Sequence, residues 1–370
     1  MAADWNVGCR KHICKGTASK GVLTVLCGCS QRSLRFKVLV SHRRARREKP
    51  QRTQRDGMSG RRTLAVTFVL LSLLCLPSPA SAGGLFAPFI LHPARHKITA
   101  EQIAEADRTF AAVGAKRQDF TVTAQDEVVL RGWKVRAAEP NGDWVLLLHG
   151  RSQNRLSMVG YAQFLLRSGY NVVMMDARAH GESGGKIATY GHVERYDVRA
   201  IVDALNKTES VDHLFALGES MGAAVALQSA GMDPRIEAVV AEGAFRNLHE
   251  VMFDYAGLRL SAFLGKTFFR PAAMLAVHET EHAAGFRFDD VSPEDSVAAR
   301  KFRVMLIAGL RDHNIPKRHA QAIYQAAAGA KELWLVPKAG HQKAMQIDPA
   351  EFRQRVLQFL SSTQFAKVQH

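Results

Sequence analysis

Most of this chain has no cysteine. All five, Cys9, Cys14, Cys27, Cys29 and Cys75, precede Ala82, so the rest of the 370 residues hold neither a disulfide framework nor a thiolate metal site. Cys27 and Cys29 form a C-x-C pair with no second pair at zinc-ribbon spacing, which leaves them without a metal reading. Excess charge is also missing once its position is considered. The formal +16 would suggest nucleic acid or an acidic surface as partner. Yet 16 of the 50 Lys/Arg and only 3 of the 34 Asp/Glu lie up to Ala82, which leaves 34 against 31 beyond it. The body of the protein is nearly neutral, and no nucleic-acid partner is expected. Internal repeats and low-complexity stretches are absent as well.

What is present starts with a leader. From Met58, Arg61 and Arg62 form a basic n-region, Leu64 to Leu76 an apolar h-region, and Ala80-Ser81-Ala82 an A-x-A cleavage site. The apolar run is short for a membrane span. Arg61-Arg62 followed by Thr63-Leu64 weakly resembles a twin-arginine signal. A signal belongs at a chain start, so residues 1–57, basic and without sustained hydrophobic period, are expected to be an upstream extension or a misplaced start, with translation from Met58 and residues 58–82 as the signal peptide. The expected location is periplasmic or secreted. The alternative is membrane anchoring through residues 64–82 as an uncleaved signal, the one membrane contact expected.

The remainder suits one α/β domain with an insertion. Residues 83–118 are an N-terminal helical lead-in, with Thr99 placed to cap a helix over Ile98–Val113. Strand-like runs follow at Phe120–Thr123 and Val128–Val135. Short apolar runs then alternate with amphipathic segments: Val145–Leu148, Val172–Met175, Leu214–Leu217, Ile236–Ala241, Val304–Ala308 and Leu333–Val336. Continuous apolar strands separated by helices predict a mostly parallel central sheet with helices on both faces. Residues 119–245 and 301–365 form this core. Between two strands, Arg246 to Arg300 is too long for an ordinary connection and reads as an inserted cap. Its Met252, Phe253, Phe263, Phe268, Phe269 and Met274 are expected to pack the cap down or, in part, to line an acyl pocket.

Two stretches match G-x-S-x-G, at Gly181-Glu182-Ser183-Gly184-Gly185 and Gly218-Glu219-Ser220-Met221-Gly222. The pattern alone decides little, but its setting does. Leu214–Leu217 supplies a strand running into Ser220, and Ala223–Leu227 a helix leaving it, the geometry that lifts a serine oxygen clear. Ser183 follows a polar loop and reads as loop. A serine hydroxyl is a poor nucleophile until a base takes its proton. Asp312 stands just after Val304–Ala308, and His341 just after Leu333–Val336, both at the strand ends where sites form in such sheets. His149-Gly150 ends the Val145–Leu148 strand, so the backbone N–H groups of Met221 and Arg151 are the expected oxyanion donors, with His149 structural.

With these landmarks, together with Gly132-Trp133 and Asp176-Ala177-Arg178-Ala179-His180-Gly181-Glu182-Ser183, the sequence resembles the α/β-hydrolase superfamily from about Phe120 to Phe359. Tyr190–Asp197 and Asp290-Val291-Ser292-Pro293 resemble its serine-aminopeptidase-like and esterase-like branch. Ala179 and Arg303 depart from that pattern, standing where glycine and proline are usual. The resemblance implies acyl transfer to water through a Ser220 acyl-enzyme, with Ser220, Asp312 and His341 as catalytic residues, no cofactor, and a small acyl substrate. A carboxylic ester is expected first, and a thioester or a peptide N-terminal residue are the alternatives on the same triad. A non-catalytic binding protein of the same fold is a further alternative. A rival motif, His278-Glu279-Thr280-Glu281-His282, matches the H-E-x-x-H of zinc proteases. No third ligand is evident at a family spacing, and no metal is expected.

Overall fold

Short runs of branched and aromatic residues become strands in this protein because helices cover them on both sides. The computed structural model describes residues 15–17, 22–24, 87–256, 266, 267 and 269–366. The leader at 58–82, the five cysteines, Phe263 and Phe268 lie outside the described residues. These described residues fall in two units. In the first, Lys15–Thr17 pairs antiparallel with Val22–Thr24.

The second unit holds all other described elements. Its strands are β1 (Lys116–Thr123), β2 (Val129–Arg136), β3 (Trp144–Leu148), β4 (Asn171–Met175), β5 (Leu214–Glu219), β6 (Ile236–Glu242), β7 (Arg303–Gly309) and β8 (Lys331–Val336). Its helices are α1 (Ala87–Leu91), α2 (Ala100–Ala111), α3 (Val159–Arg167), α4 (Glu194–Thr208), α5 (Met221–Met232), α6 (Leu248–Ala256), α7 (Arg270–Ala284), α8 (Pro293–Ala299), α9 (Arg318–Ala326), α10 (Ala344–Ile347) and α11 (Pro349–Ala366). The strands form one sheet in the order β8-β7-β6-β5-β3-β4-β2-β1. Neighbours from β8 to β4 are parallel, while β2 runs antiparallel to both β4 and β1. This is the α/β-hydrolase fold.

Successive side chains on a strand point to opposite faces, and the two cores divide accordingly. Leu146 and Ala216 turn to one face, where Ile201 of α4, Leu227 of α5, Val297 of α8 and Ile323 of α9 cover them. Val145, Leu147 and Phe215 turn to the other, under Phe110 of α2, Leu165 of α3 and Phe352 of α11. Thr99 caps α2 as expected, with Gln102 returning the bond to the Thr99 N–H. Between β6 and β7 lie α6, α7 and α8. Of these, α8 puts Val297 into the first core, whereas α6 and α7 share a third apolar cluster with α1, built around Leu91, Leu248, Val251, Val277 and Phe288. Among the described residues no helix is long and apolar enough to cross a membrane.

Candidate functional site

The end of β5 is built so tightly that only glycine fits at two positions. A β-carbon on Gly218 would lie 2.4 Å from the Gly222 carbonyl oxygen, and one on Gly222 would lie 2.1 Å from that of Leu148. Both obstacles are backbone, so neither can move aside. Between them Ser220 adopts φ 51° and ψ −113°, a strained conformation for a residue with a side chain. The strain is held by the Ser220 N–H, which donates to the Glu242 carbonyl at 2.8 Å, and by α5, which begins at Met221. The Met221 N–H therefore has no carbonyl one turn back to bond.

The loops after β7 and β8 bring two further groups to this serine. His341 Nδ1 is 2.7 Å from Asp312 Oδ2, and its Nε2 is 2.9 Å from Ser220 Oγ. A carboxylate only accepts, so Nδ1 carries the proton and leaves the Nε2 lone pair facing the serine hydroxyl. The other oxygen of Asp312 accepts from the Asn314 and Ile315 N–H groups at 2.8 and 2.9 Å, which locks the carboxylate plane. These three side chains, distant in sequence, form one continuous line of hydrogen bonds.

That line opens into a cavity of about 340 Å³. Arg151 and Met221 border it beside Ser220, and Tyr190, Phe245, Leu248, Val251, Met252 and Ile315 supply its apolar wall. Two of its residues come from the N-terminal lead-in, where no pocket wall was expected. Phe89 and Ile90 of α1 line the same cavity, and the Phe89 and Ile90 carbonyls accept from the Arg151 guanidinium and the Tyr190 hydroxyl. Of the aromatic and methionine residues expected to shape an acyl pocket, Met252 does so. Phe253 instead packs against the His249 ring, Met274 faces solvent, and Phe269 is not among the lining residues.

The other singled-out residues have structural settings. Ser183 is fully buried, donating to the Asp176 carbonyl at 2.6 Å and accepting from the Arg131 N–H at 2.9 Å, so its oxygen is already committed. His149 donates from Nδ1 to the Gly150 carbonyl and accepts the Ala177 N–H on Nε2. Burial pushes it down to about 4, which keeps it neutral. Ala179, in place of the usual glycine, sits at φ 61°. His278 and His282 are exposed on α7, and Glu281 accepts the Phe288 N–H. Among the described residues no group of three or more His, Cys, Asp or Glu side chains is placed to hold a metal ion.

One cluster was missed in the sequence. Glu219 and Glu242, the last residues of β5 and β6, are both buried and share the Tyr161 hydroxyl. Burial pushes Glu219 up to about 7 and Glu242 upward as well. Glu242 also accepts the Ala344 N–H at 2.9 Å, which ties the end of β6 to the chain just after His341. The available signal was a carboxylate closing each of two largely apolar strands.

Comparison with known proteins agrees with this architecture. A sequence profile described as the alpha/beta hydrolase family matches residues 145–355. The chain belongs to the alpha/beta hydrolase family. This hydrolase is 28% identical over 237 residues to the uncharacterized protein YqkD of Bacillus subtilis, covering 63% of this chain and 75% of that one. It is 26% identical over 218 residues to the alpha/beta hydrolase domain-containing protein WAV2 of Arabidopsis thaliana, covering 57% and 67%. Among solved structures, the esterase Pf2001 of Pyrococcus furiosus superposes with a TM-score of 0.58 at 27% identity, over 73% of this hydrolase and 98% of that chain.

Proposed function

We propose that this hydrolase transfers an acyl group from a carboxylic ester to water through a covalent Ser220 acyl-enzyme. The observation that carries the reading is the hydrogen-bonded line Asp312–His341–Ser220 ending at an apolar cavity. As Ser220 Oγ attacks the ester carbonyl carbon, its proton passes to His341 Nε2, and Asp312 stabilises the resulting imidazolium. Charge developing on the carbonyl oxygen is met by the N–H groups of Met221 and Arg151. The C–O bond then breaks, and the alkoxide leaves with the proton from His341. Water repeats the sequence in reverse, releasing the acid and restoring Ser220.

The lining favours an ester over a peptide N-terminal residue. A free α-ammonium group needs a carboxylate to receive it when it leaves water. Among the described residues no Asp or Glu lines the cavity, and its one permanently charged side chain is Arg151. The similar P. furiosus structure is that of an esterase, which points the same way.

A fluorophosphonate phosphonylates an activated serine with loss of fluoride, which makes it the test. Incubation followed by peptide mass spectrometry is expected to place one adduct on Ser220. An adduct on the peptide containing Ser183, or none at all on folded protein, would overturn the assignment and favour a non-catalytic binding protein.

The wall at Met252 sets a second expectation. Met252→Trp should crowd the cavity and raise the ratio of kcat/KM for a butyrate over an octanoate ester by roughly tenfold, since hydrophobic pockets discriminate by about 1–3 kcal/mol per methylene. An unchanged chain-length profile would mean the acyl chain lies elsewhere.

A further inference from the structure

Arg151 is half-buried in the wall of the cavity at Ser220, and its charge has no counter-charge there. Among the described residues its guanidinium meets the Phe89 carbonyl, the Tyr190 hydroxyl and, at 3.5 Å, the Ser152 hydroxyl. All three are neutral. The arginines of the neighbouring strand ends differ: Arg155, after β3, pairs with Asp176 and Glu182, and Arg178, after β4, with Asp126 and Asp197.

The acids that act on this region are engaged elsewhere. Glu194, whose charge reaches the Tyr190 hydroxyl, is buried and accepts from Thr189 and Gly191. Asp312 holds His341 and the N–H groups of Asn314 and Ile315. Tyr190 supplies no negative charge either. Burial pushes its hydroxyl up, with the Arg151 cation pulling the other way, and the hydroxyl donates to the Ile90 carbonyl at 2.7 Å.

Phe89 and Tyr190, which hold the guanidinium, are themselves walls of the cavity, so the charge is fixed beside it. A guanidinium carries more N–H donors than these acceptors use, and Arg151 Nε is buried without a hydrogen-bond partner. A cation drawn out of water is costly unless an anion meets it, and the guanidinium fork matches a carboxylate. One cation balances one negative charge, which fits a carboxylate better than a phosphate monoester at about −1.5 to −2.

We propose that the Arg151 guanidinium receives a free carboxylate of the substrate, so that this hydrolase acts on esters that carry a second, ionised acid group a short spacer from the ester carbonyl. The ester in this inference rests on the proposed hydrolysis; the pairing of Arg151 with a carboxylate does not. Because the backbone N–H of the same residue is the expected oxyanion donor, the bound carboxylate would also fix where the ester carbonyl lies.

The test compares kcat/KM of the full chain on monoethyl glutarate with that on ethyl pentanoate, its neutral match in length, and on carboxymethyl butyrate with that on propyl butyrate, by titration of released acid. In at least one pair the ratio of anionic to neutral ester is expected to fall at least about tenfold in Arg151→Met, which keeps the backbone N–H and removes the cation, and to fall less in Arg151→Lys. A side chain that only ties α1 to its loop would slow both members of a pair alike, so an unchanged ratio in both pairs would overturn the inference. Calorimetric binding of the same esters to Ser220→Ala reads the charge pairing without turnover, and it decides the matter with Arg151 intact should Arg151→Met fail to fold. The anionic member of the pair is expected to bind at least about tenfold more tightly than its neutral match. That binding without hydrolysis by the unaltered chain would sink the catalytic reading and support the pairing, whereas equal binding within both pairs would overturn the inference even where esters are hydrolysed.

Discussion

Ser220→Ala is expected to lower turnover of a soluble ester by at least about four orders of magnitude, and His341→Ala by a comparable factor. The two losses should not add in the double variant, because the serine oxygen and the imidazole act in the same proton transfer. Asp312→Asn should cost somewhat less, since the amide still occupies the space beside His341 Nδ1 but no longer stabilises the imidazolium. Ser183→Ala is the internal control. Its hydroxyl is fully occupied by the Asp176 carbonyl and the Arg131 N–H, so its loss should lower stability by about 1–3 kcal/mol and leave the folded protein active. Measured kcat on a chromogenic butyrate, with circular dichroism to establish folding, decides the matter. Near-normal activity in folded Ser220→Ala protein would remove elbow, oxyanion donors and mechanism together.

The largest expected effect on stability lies away from the serine, at Arg155. Its guanidinium pairs with Asp176 and Glu182 and lies 4.6 Å from the centre of the Trp133 ring. Its backbone N–H bonds the same Asp176 carboxylate at 2.8 Å. Asp176 is completely buried, and burial raises its affinity for a proton even with Arg155 in place. Arg155→Ala leaves that carboxylate without its cation, a change that costs about 3–5 kcal/mol and should lower the unfolding midpoint by roughly ten degrees. The sign with pH follows from the acid. A carboxyl whose folded-state affinity for protons lies above that of the unfolded chain disfavours folding more as pH rises. The deficit measured by urea unfolding should therefore be larger at pH 8 than at pH 5, and Asp176→Asn in the same background should recover part of it. A deficit below about 1 kcal/mol at both pH values would mean that the ion pair is dispensable.

Much of this could be read along the chain. The apolar runs that became β3 to β8 were legible because a strand covered on both faces has no polar side to interrupt it. Ser220, Asp312 and His341 were legible because each follows directly on such a run, and a parallel sheet brings the carboxyl ends of its strands to one edge. The contrast between the settings of Ser220 and Ser183 was also local. It turned on whether a strand and a helix flank the serine, and the positive φ at Ser220 is where that local grammar leads.

The walls of the cavity had no comparable signal. Phe89 and Ile90 reach it across about 130 residues of sequence, held by carbonyl bonds to Arg151 and Tyr190 that no periodicity announces. Phe253 and Met252 are neighbours on one helix with the same apolar character, yet one packs inward and the other lines the cavity. The difference is the rotation of α6 on the domain. Glu219 and Glu242 end separate strands, and only the pairing of β5 with β6 and the approach of α3 make them partners through Tyr161. Residue type and order along the chain thus determined the strands, the helices and the meeting of Ser220, Asp312 and His341, because those depend on near neighbours and on the regular geometry of a sheet. Tertiary structure decided the shape of the cavity and the buried acid pair, because those depend on which distant surfaces meet.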